Sequence, residues 1–429
     1  MNKLAYLFER RFHSVLGLNC NNYYHYLGRD MIVMGVDEQY ILNEFQSRIL
    51  TMLNHSLGID EIASEFLKIV DDSTYKDIKF LIKDTINQMQ QYNLISETDF
   101  KSSVKIYGEQ NKYYPKKIVI ELTNKCHLEC VHCFKEAGPS RRNFVKAEDL
   151  LDFLEKLKGK VYEIQLTGGE PMAHPSFDKI LKYVLENYKI VTITTTAHLI
   201  NSRNIDKLKG ISFVQVSLYH HTSEIQDKIT NGKNSLSKTI RGIEYLNNAG
   251  IAYSVTNIVR NSLLDEFDKY IEFLIENNVK EVRFGLLSSL GRGRKTDSDW
   301  FLSKEAVEEF YDLLIKKNKE YRDLIKIHTW EEDCSTFFKN VTDNTMKCGA
   351  GVIEWTISEN GFIKPCTFFP DSYYTSYSIG NFEDYVTCNH SDEIVSGINE
   401  WEKRLHSVGL STKNICEEIY KVVGVPDEK

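Results

Sequence analysis

The chain runs to 429 residues, 42% of them hydrophobic and 27% charged, with a formal net charge of -8. It is too long for one ordinary core, so two or three soluble domains are expected, and the acidic balance argues against a nucleic-acid-binding face covering the molecule. No apolar run approaches the roughly 18 residues of a membrane span. The opening MNKLAYLFERRF carries charges where a secretion signal needs its apolar centre. A cytoplasmic protein, partnered by neither membrane nor nucleic acid, is the expectation.

In chain order, alternation across Met31–Leu42 (MIVMGVDEQYIL) predicts a short hairpin. Phe45–Leu53, Ile59–Ile69 and Tyr75–Tyr92 then place apolar residues at three- and four-residue intervals, the signature of three amphipathic helices. Asp72 or Ser73 suits the N-cap of the last. A hairpin and three helices within residues 1–100 outline a winged-helix-like domain, and polar Ser96–Gln110 reads as a linker.

Residues 112–325 alternate strand and helix. Strands are expected at Lys117–Glu121, Val161–Leu166, Ile190–Thr195, Phe213–Leu218, Tyr253–Ile258 and Val282–Leu287. Helices are expected at Lys146–Leu157, Ser176–Asn187, Leu236–Ala249, Leu264–Glu276 and Lys304–Lys317, with only the short Asn201–Leu208 after the third strand. The fold class is therefore α/β, with helices outside a parallel sheet; six units are too few for a closed barrel, so a partial (β/α)6 barrel is predicted. Residues 326–429 lose this rhythm. They carry Gly349, Gly351, Gly361, Gly380, scattered cysteines and a hairpin-like stretch, Ile353–Lys364, and read as a small irregular domain.

Nine cysteines in a cytoplasmic chain point to metals or redox chemistry before disulfides. Three are tightly grouped just beyond the first strand of the βα series: Cys126-His127-Leu128-Glu129-Cys130-Val131-His132-Cys133. Three thiolates on one loop suit three irons of a [4Fe–4S] cube and leave the fourth open to a small molecule. A structural zinc site is the alternative, with His127 or His132 as fourth ligand. Directly after the second strand stands Thr167-Gly168-Gly169-Glu170-Pro171. Paired glycines there let the backbone approach a ligand, and a carboxylate can receive an ammonium; an ordinary strand-to-helix turn is the plain reading.

Together these motifs resemble the radical S-adenosylmethionine superfamily, whose signature is C-x3-C-x2-C followed by Gly-Gly-Glu. The resemblance implies that Cys126, Cys130 and Cys133 bind a [4Fe–4S] cluster and that Gly168, Gly169 and Glu170 hold the methionyl amino group of S-adenosylmethionine. It puts His132 near the adenine and Ser217, in Val216-Ser217-Leu218, near the ribose. Thr195 and Asn257 are weaker candidates expected to face the same mouth, with an ordinary strand role as the alternative. The implied reaction is reductive cleavage of the cofactor to a 5′-deoxyadenosyl radical, which removes a hydrogen atom from substrate. Such chemistry needs positioning and solvent exclusion, so the lack of a Ser/His/Asp array is expected. Two positions depart from the common pattern: Thr194-Thr195-Thr196-Ala197 replaces a Thr-Asn-Gly ending, and Tyr219 stands where an Asp is frequent.

Further along, Cys348-Gly349-Ala350-Gly351, Gly361, Pro365-Cys366 and Gly380-Asn381 resemble the start of a SPASM/twitch-like auxiliary-cluster domain, and Leu290-Gly291-Arg292-Gly293-Arg294 resembles the peptide-modifying branch. The likeness is greatest to thioether-forming sactipeptide maturases. The dense cysteine group of full auxiliary domains is missing. One auxiliary [4Fe–4S] cluster on Cys348, Cys366 and two of Cys334, Cys388 and Cys416 is one reading, and buried cysteines acting as small hydrophobes are the other. Residues 1–100 resemble a leader-peptide-recognition domain, which would hold an extended precursor peptide against its hairpin edge. A packing extension and a DNA-binding module are alternatives, the latter disfavoured by Asp60, Glu61 and Glu65. The expected function is modification of a ribosomally made peptide by thioether, carbon–carbon link or epimerisation, with flavodoxin or ferredoxin as electron donor. A radical enzyme acting on a sugar or cofactor precursor, and a non-catalytic metal- or peptide-binding regulator, are the competing readings.

Overall fold

The computed structural model describes residues 15–35, 39–70, 73–98, 103–287, 290–329, 350–351, 353–368 and 377–387. They fall into two compact units, divided between Tyr113 and Tyr114. In the first, β1 (Val15–Leu18), β2 (Tyr23–Leu27), β3 (Asp30–Met34) and β4 (Gln39–Leu42) precede α1 (Glu44–Asn54), α2 (Ile59–Leu67) and α3 (Tyr75–Gln91); β5 (Ile95–Thr98) and β6 (Ile106–Tyr107) follow. Gly28, at φ 66°, turns β2 back onto β3 in antiparallel register. Asn43 and Gln46 cap α1 reciprocally through backbone and side chain, at 3.0 and 3.1 Å. Leu50, Leu53, Ile62, Phe66, Ile82 and Ile86 bury the helices' apolar stripes against Tyr24, Met31 and Val33 of the sheet.

Three expectations are corrected here. The cap of α3 is Thr74, whose hydroxyl accepts from the Asp77 amide at 3.2 Å, not Asp72 or Ser73. The supposed linker is partly sheet: β5 pairs antiparallel with β1, and β6 pairs parallel with β2. The hairpin also gains β2, so β4-β3-β2-β6 form one sheet. β1, β5 and β6 are short, and their pairings reach across 70 or more residues, so no local alternation announces them.

The second unit holds β7 (Lys117–Glu121), α4 (Ala147–Leu157), β8 (Glu163–Thr167), α5 (Phe177–Asn187), β9 (Ile190–Thr195), β10 (Phe213–Ser217), α6 (Ser223–Thr230), α7 (Ser235–Ala249), β11 (Tyr253–Ile258), α8 (Asn261–Leu264), α9 (Phe267–Glu276), β12 (Glu281–Gly285), α10 (Lys304–Glu320), β13 (Lys326–Thr329), β14 (Glu354–Ile357), β15 (Ile363–Lys364) and α11 (Phe382–Thr387). Its sheet runs β13-β12-β11-β10-β9-β8-β7-β14-β15. Every pairing is parallel except β14 with β15. All six expected strands are present, joined by β13 and by α6, whose sequence SEIQDKIT gave no clear apolar stripe.

Alternation gives the sheet two unlike faces. Ile118, Ile120, Ile164, Leu166, Val191, Ile193, Val214, Val216 and Val255 pack on the helices with Leu150, Phe153, Ile180, Leu181, Ile243 and Leu246. The opposite face carries half-buried Gln165, Thr194, Gln215, Ser217 and Arg283 beside buried Val119, Glu121, Ser254 and Thr356. The C-terminal hairpin is not a separate irregular body: β14 pairs in parallel with β7, Trp355 opposite Ile118 and Ile357 opposite Ile120. Gly361, at φ 81°, makes the turn into β15. Cys334, Cys348, Cys388 and Cys416 lie outside the described residues. No described helix is long and apolar enough to cross a membrane.

Candidate functional site

The cysteine loop leaves the end of β7 and has no regular structure of its own, yet it is held from three sides. The last turn of α6 accepts its amides, Glu129 N to Thr230 O at 3.1 Å and Val131 N to Ile229 O at 2.9 Å. Arg292 clasps it from the far side, Nε donating to Cys130 O at 2.8 Å and Nη2 to Ala137 O at 2.7 Å, while its own amide donates to Cys133 O. Gly291 at φ 52° makes this possible, since a Cβ there would stand 2.3 Å from Phe134 O. Sequence reasoning noticed Gly291-Arg292 only as a family mark; its structural task is to close the loop.

The third support is ionic. Glu121, fully buried at the end of β7, accepts through Oε2 from Lys135 Nζ at 2.7 Å and from Lys364 Nζ of β15 at 3.1 Å; Lys135 also reaches Glu359 at 3.1 Å. Phe134 meets Phe368 at 5.3 Å between ring centroids. The residues just after Cys133 are thus fastened to the strand pair that leads to half-buried Cys366.

Cys126, Cys130 and Cys133 gather with Leu128 and Ala137 in one apolar cluster. Burial, and then Glu170, pushes the Cys126 thiol up to about 12. Burial, and then the neighbouring Cys133 and Cys126, pushes Cys130 well above the thiol range. Three converging sulfurs, with the ionisation of Cys126 and Cys130 opposed by burial and by their neighbours, fit a group that stabilises thiolates. Among the described residues, the metal-capable atoms that close to within 4.8 Å of one another are those of His220, His221 and Glu266, not the three cysteines. The pair of histidines with Glu266 is itself a poor metal site. His220 Nδ1 accepts from the Thr222 amide at 3.0 Å, so Nε2 bears the proton donated to Glu266 at 3.1 Å, and neither nitrogen offers a lone pair.

The Gly-Gly-Glu turn meets the cysteine loop directly. Gly169 N donates to Thr123 O at 2.6 Å and Glu170 N to Lys125 O at 2.9 Å. A Cβ on Gly168 would stand 2.4 Å from Thr123 O, and one on Gly169 2.5 Å from Lys125 O. The close approach that requires these glycines is to the backbone entering Cys126, a role not anticipated from sequence. The Glu170 carboxylate is wholly buried and accepts from Thr195 Oγ1, from Thr196 N and Oγ1 and from Met172 N, at 2.8–3.3 Å.

The remaining candidates divide between the two faces. Ser217 lies on the open face, in register with Thr256 of β11. Thr195 and Asn257 do not face the mouth: each falls on the helix-packed face, Thr195 bonding Glu170 and Asn257 donating to Tyr219 O at 3.2 Å. A strand repeats every two residues, so a one-position error reverses the face; the neighbours Thr194 and Thr256 are the ones opposite. His132 stacks on Trp300 at 4.8 Å and takes Tyr219 edge-on at 4.4 Å. Burial, followed by Arg260 and Arg292, lowers its pKa to about 3, so the imidazole is neutral. Arg260, buried over the Trp300 ring, was not foreseen either.

A partial barrel with this cysteine loop defines a class of enzyme. Residues 120–274 match the sequence profile of the Radical SAM superfamily, and the chain belongs to it. Members of that family carry a [4Fe–4S] cluster and use S-adenosylmethionine. Over 361 residues the chain is 26% identical to the antilisterial bacteriocin subtilosin biosynthesis protein AlbA of Bacillus subtilis (strain 168), covering 82% of this chain and 77% of that protein. It is 30% identical over 210 residues to an uncharacterized protein of Methanocaldococcus jannaschii, MJ0907, covering 47% of this chain and 71% of the relative. Crystal structures of SuiB from Streptococcus suis have a similar fold. The S-adenosylmethionine complex gives a TM-score of 0.56 at 19% identity, over 82% of this chain and 83% of that one. The complex with precursor peptide SuiA gives 0.55 at 20%, over the same shares.

Proposed function

We propose that this radical SAM enzyme modifies a ribosomally synthesised precursor peptide, forming a thioether, a carbon–carbon cross-link or an epimerised centre. The observation that carries the reading is the N-terminal unit: among the described residues β4 ends its sheet, paired with β3 alone, in the same chain as the cysteine loop. Such an edge can accept an extended peptide through main-chain bonds. The relatedness to AlbA supports it, because that match spans 82% of this chain and so extends beyond the barrel.

In this reading Cys126, Cys130 and Cys133 hold the cluster, and the Gly168-Gly169-Glu170 turn, His132 and Ser217 cradle S-adenosylmethionine. Cluster and cofactor together supply one-electron, hydrogen-abstracting chemistry when bound. The chain's own part is to fix the loop through Arg292 and Glu121 and to present an open polar sheet face to substrate. Cys366, with Cys348 and others outside the described residues, is the candidate anchor of one auxiliary cluster. The enzyme works in the cytoplasm, reduced by a flavodoxin- or ferredoxin-type donor.

The test is co-expression with the peptide encoded by a short open reading frame beside the gene, followed by mass analysis of that peptide. Loss of two hydrogens per cross-link, or deuterium incorporation at an epimerised centre, is expected, and Cys130→Ala should leave the peptide unchanged. A peptide untouched by an enzyme that releases 5′-deoxyadenosine would favour a small-molecule substrate instead.

A further inference from the structure

We propose that Gln165, Thr194 and Gln215 form a receptor for a neutral peptide group on the open face of the barrel sheet. This rests on the reading of the enzyme as peptide-modifying, and it names the chemistry by which the barrel takes hold of the modified segment. The three residues sit on β8, β9 and β10, on the face away from the helices, and all are half-buried. Gln165 Nε2 donates to Thr194 Oγ1 at 2.9 Å, and Thr194 Oγ1 donates to Gln215 Oε1 at 3.0 Å.

One hydroxyl between two amides has a single proton, so it accepts from one and donates to the other. The row therefore has a direction. One end keeps a carbonyl oxygen without a partner in the row, Gln165 Oε1, and the other keeps an NH2, Gln215 Nε2. Reversing both amides would only exchange the ends. The bonds of 2.9 and 3.0 Å through Thr194 Oγ1, with one amide at each end, keep the acceptor and the donor within about 10 Å of each other, inside the span of three residues of extended chain at about 3.3 Å each. A peptide offers an N–H to the first and a C=O to the second at that separation.

The surroundings favour a neutral ligand. Charged groups on the same face are paired: Arg283 with Glu281 at 2.9 Å, Lys117 with Glu354 at 3.2 Å, and Glu121 with Lys135 and Lys364. A phosphate or carboxylate laid on the row would meet amide dipoles and, among the described residues of this face, cations already paired, and would lose its hydration for little return. An amide exchanges water hydrogen bonds for equivalent ones.

The experiment uses the full-length, iron-loaded protein and the probe Ac-Gly-Gly-Gly-NH2, which carries peptide groups and no charge. Saturation-transfer NMR should show the probe binding wild type, with succinate giving no signal. Gln215→Glu keeps the shape but removes the donor, and should weaken the probe at least fivefold. Thr194→Val breaks the relay and should fall between the two; it also serves if the first variant folds poorly. Iron content and melting temperature verify the fold of each. No transfer to wild type, or equal affinity in wild type and both variants, overturns the proposal. Dependence on Gln215 in a protein that leaves its neighbouring peptide unmodified would keep the receptor while removing the precursor as its occupant.

Discussion

At the scale of single residues, the site is most sensitive where backbone meets backbone. A methyl at Gly169 would stand 2.5 Å from the Lys125 carbonyl oxygen, and neither atom can escape by rotating a side chain. Gly169→Ala should therefore cost about 1–3 kcal/mol and displace the chain entering Cys126. Urea unfolding and the iron-to-protein ratio after anaerobic reconstitution check this; wild-type values for both would refute it. Arg292 makes its point differently, by charge. Each of its side-chain bonds to the loop carbonyls, at 2.8 and 2.7 Å, is of the charged kind worth about 1.5–3 kcal/mol. Arg292→Met should accelerate iron loss to a chelator severalfold, and an unchanged time course would show that the clasp is dispensable.

Among the elements, β14 has the largest consequence. Trp355 is fully buried, donates from Nε1 to Gly351 O at 3.2 Å and takes Tyr385 edge-on at 4.8 Å. Because its strand belongs to the barrel sheet, Trp355→Ala should remove about 3–5 kcal/mol from the barrel transition itself. Two separate unfolding steps, with the barrel step unmoved, would mean that the hairpin folds independently. The same coupling distinguishes the lysines on Glu121. Lys364→Met should loosen the hairpin while Lys135 still fixes the loop; Glu121→Gln should loosen both, seen as a changed electron paramagnetic resonance signal of the reduced cluster in the second variant alone.

For the molecule as a whole, buried neutral histidines set an acid limit. Burial, then His221 and Arg260, lowers His220 to about 4; burial, then His127 and Lys238, lowers His198 to about 3. An unfolded histidine titrates near 6.5. As pH falls below that value the unfolded chain takes up protons that the folded chain refuses, so stability is present above about 6.5 and lost on the way to about 4 for His220 and about 3 for His198, by up to about 1.4 kcal/mol per pH unit for each group. The urea midpoint of the apo chain should fall over this window, and more gently in His220→Asn. An identical slope in the variant would remove His220 from the account.

What could be read from the residues alone was local. The six core strands and most helices announce themselves by period, and the cysteine spacing and Gly-Gly-Glu turn are short enough to be seen whole. Strands such as Ile106–Tyr107, and the pairing of β14 with β7, rest on partners far away in sequence, so nothing in their own few residues requires them. The facing of Thr195 and Asn257 went wrong for a related reason: with a repeat of two residues, the face depends on register, and register is settled by neighbouring strands. The clasp by Arg292 and the reach of Lys364 to Glu121 are likewise meetings across 155 to 243 positions. Sequence by itself determined which chemistry the loop can hold; only the packed sheet decided which side chains brace that loop and which are left facing the open side.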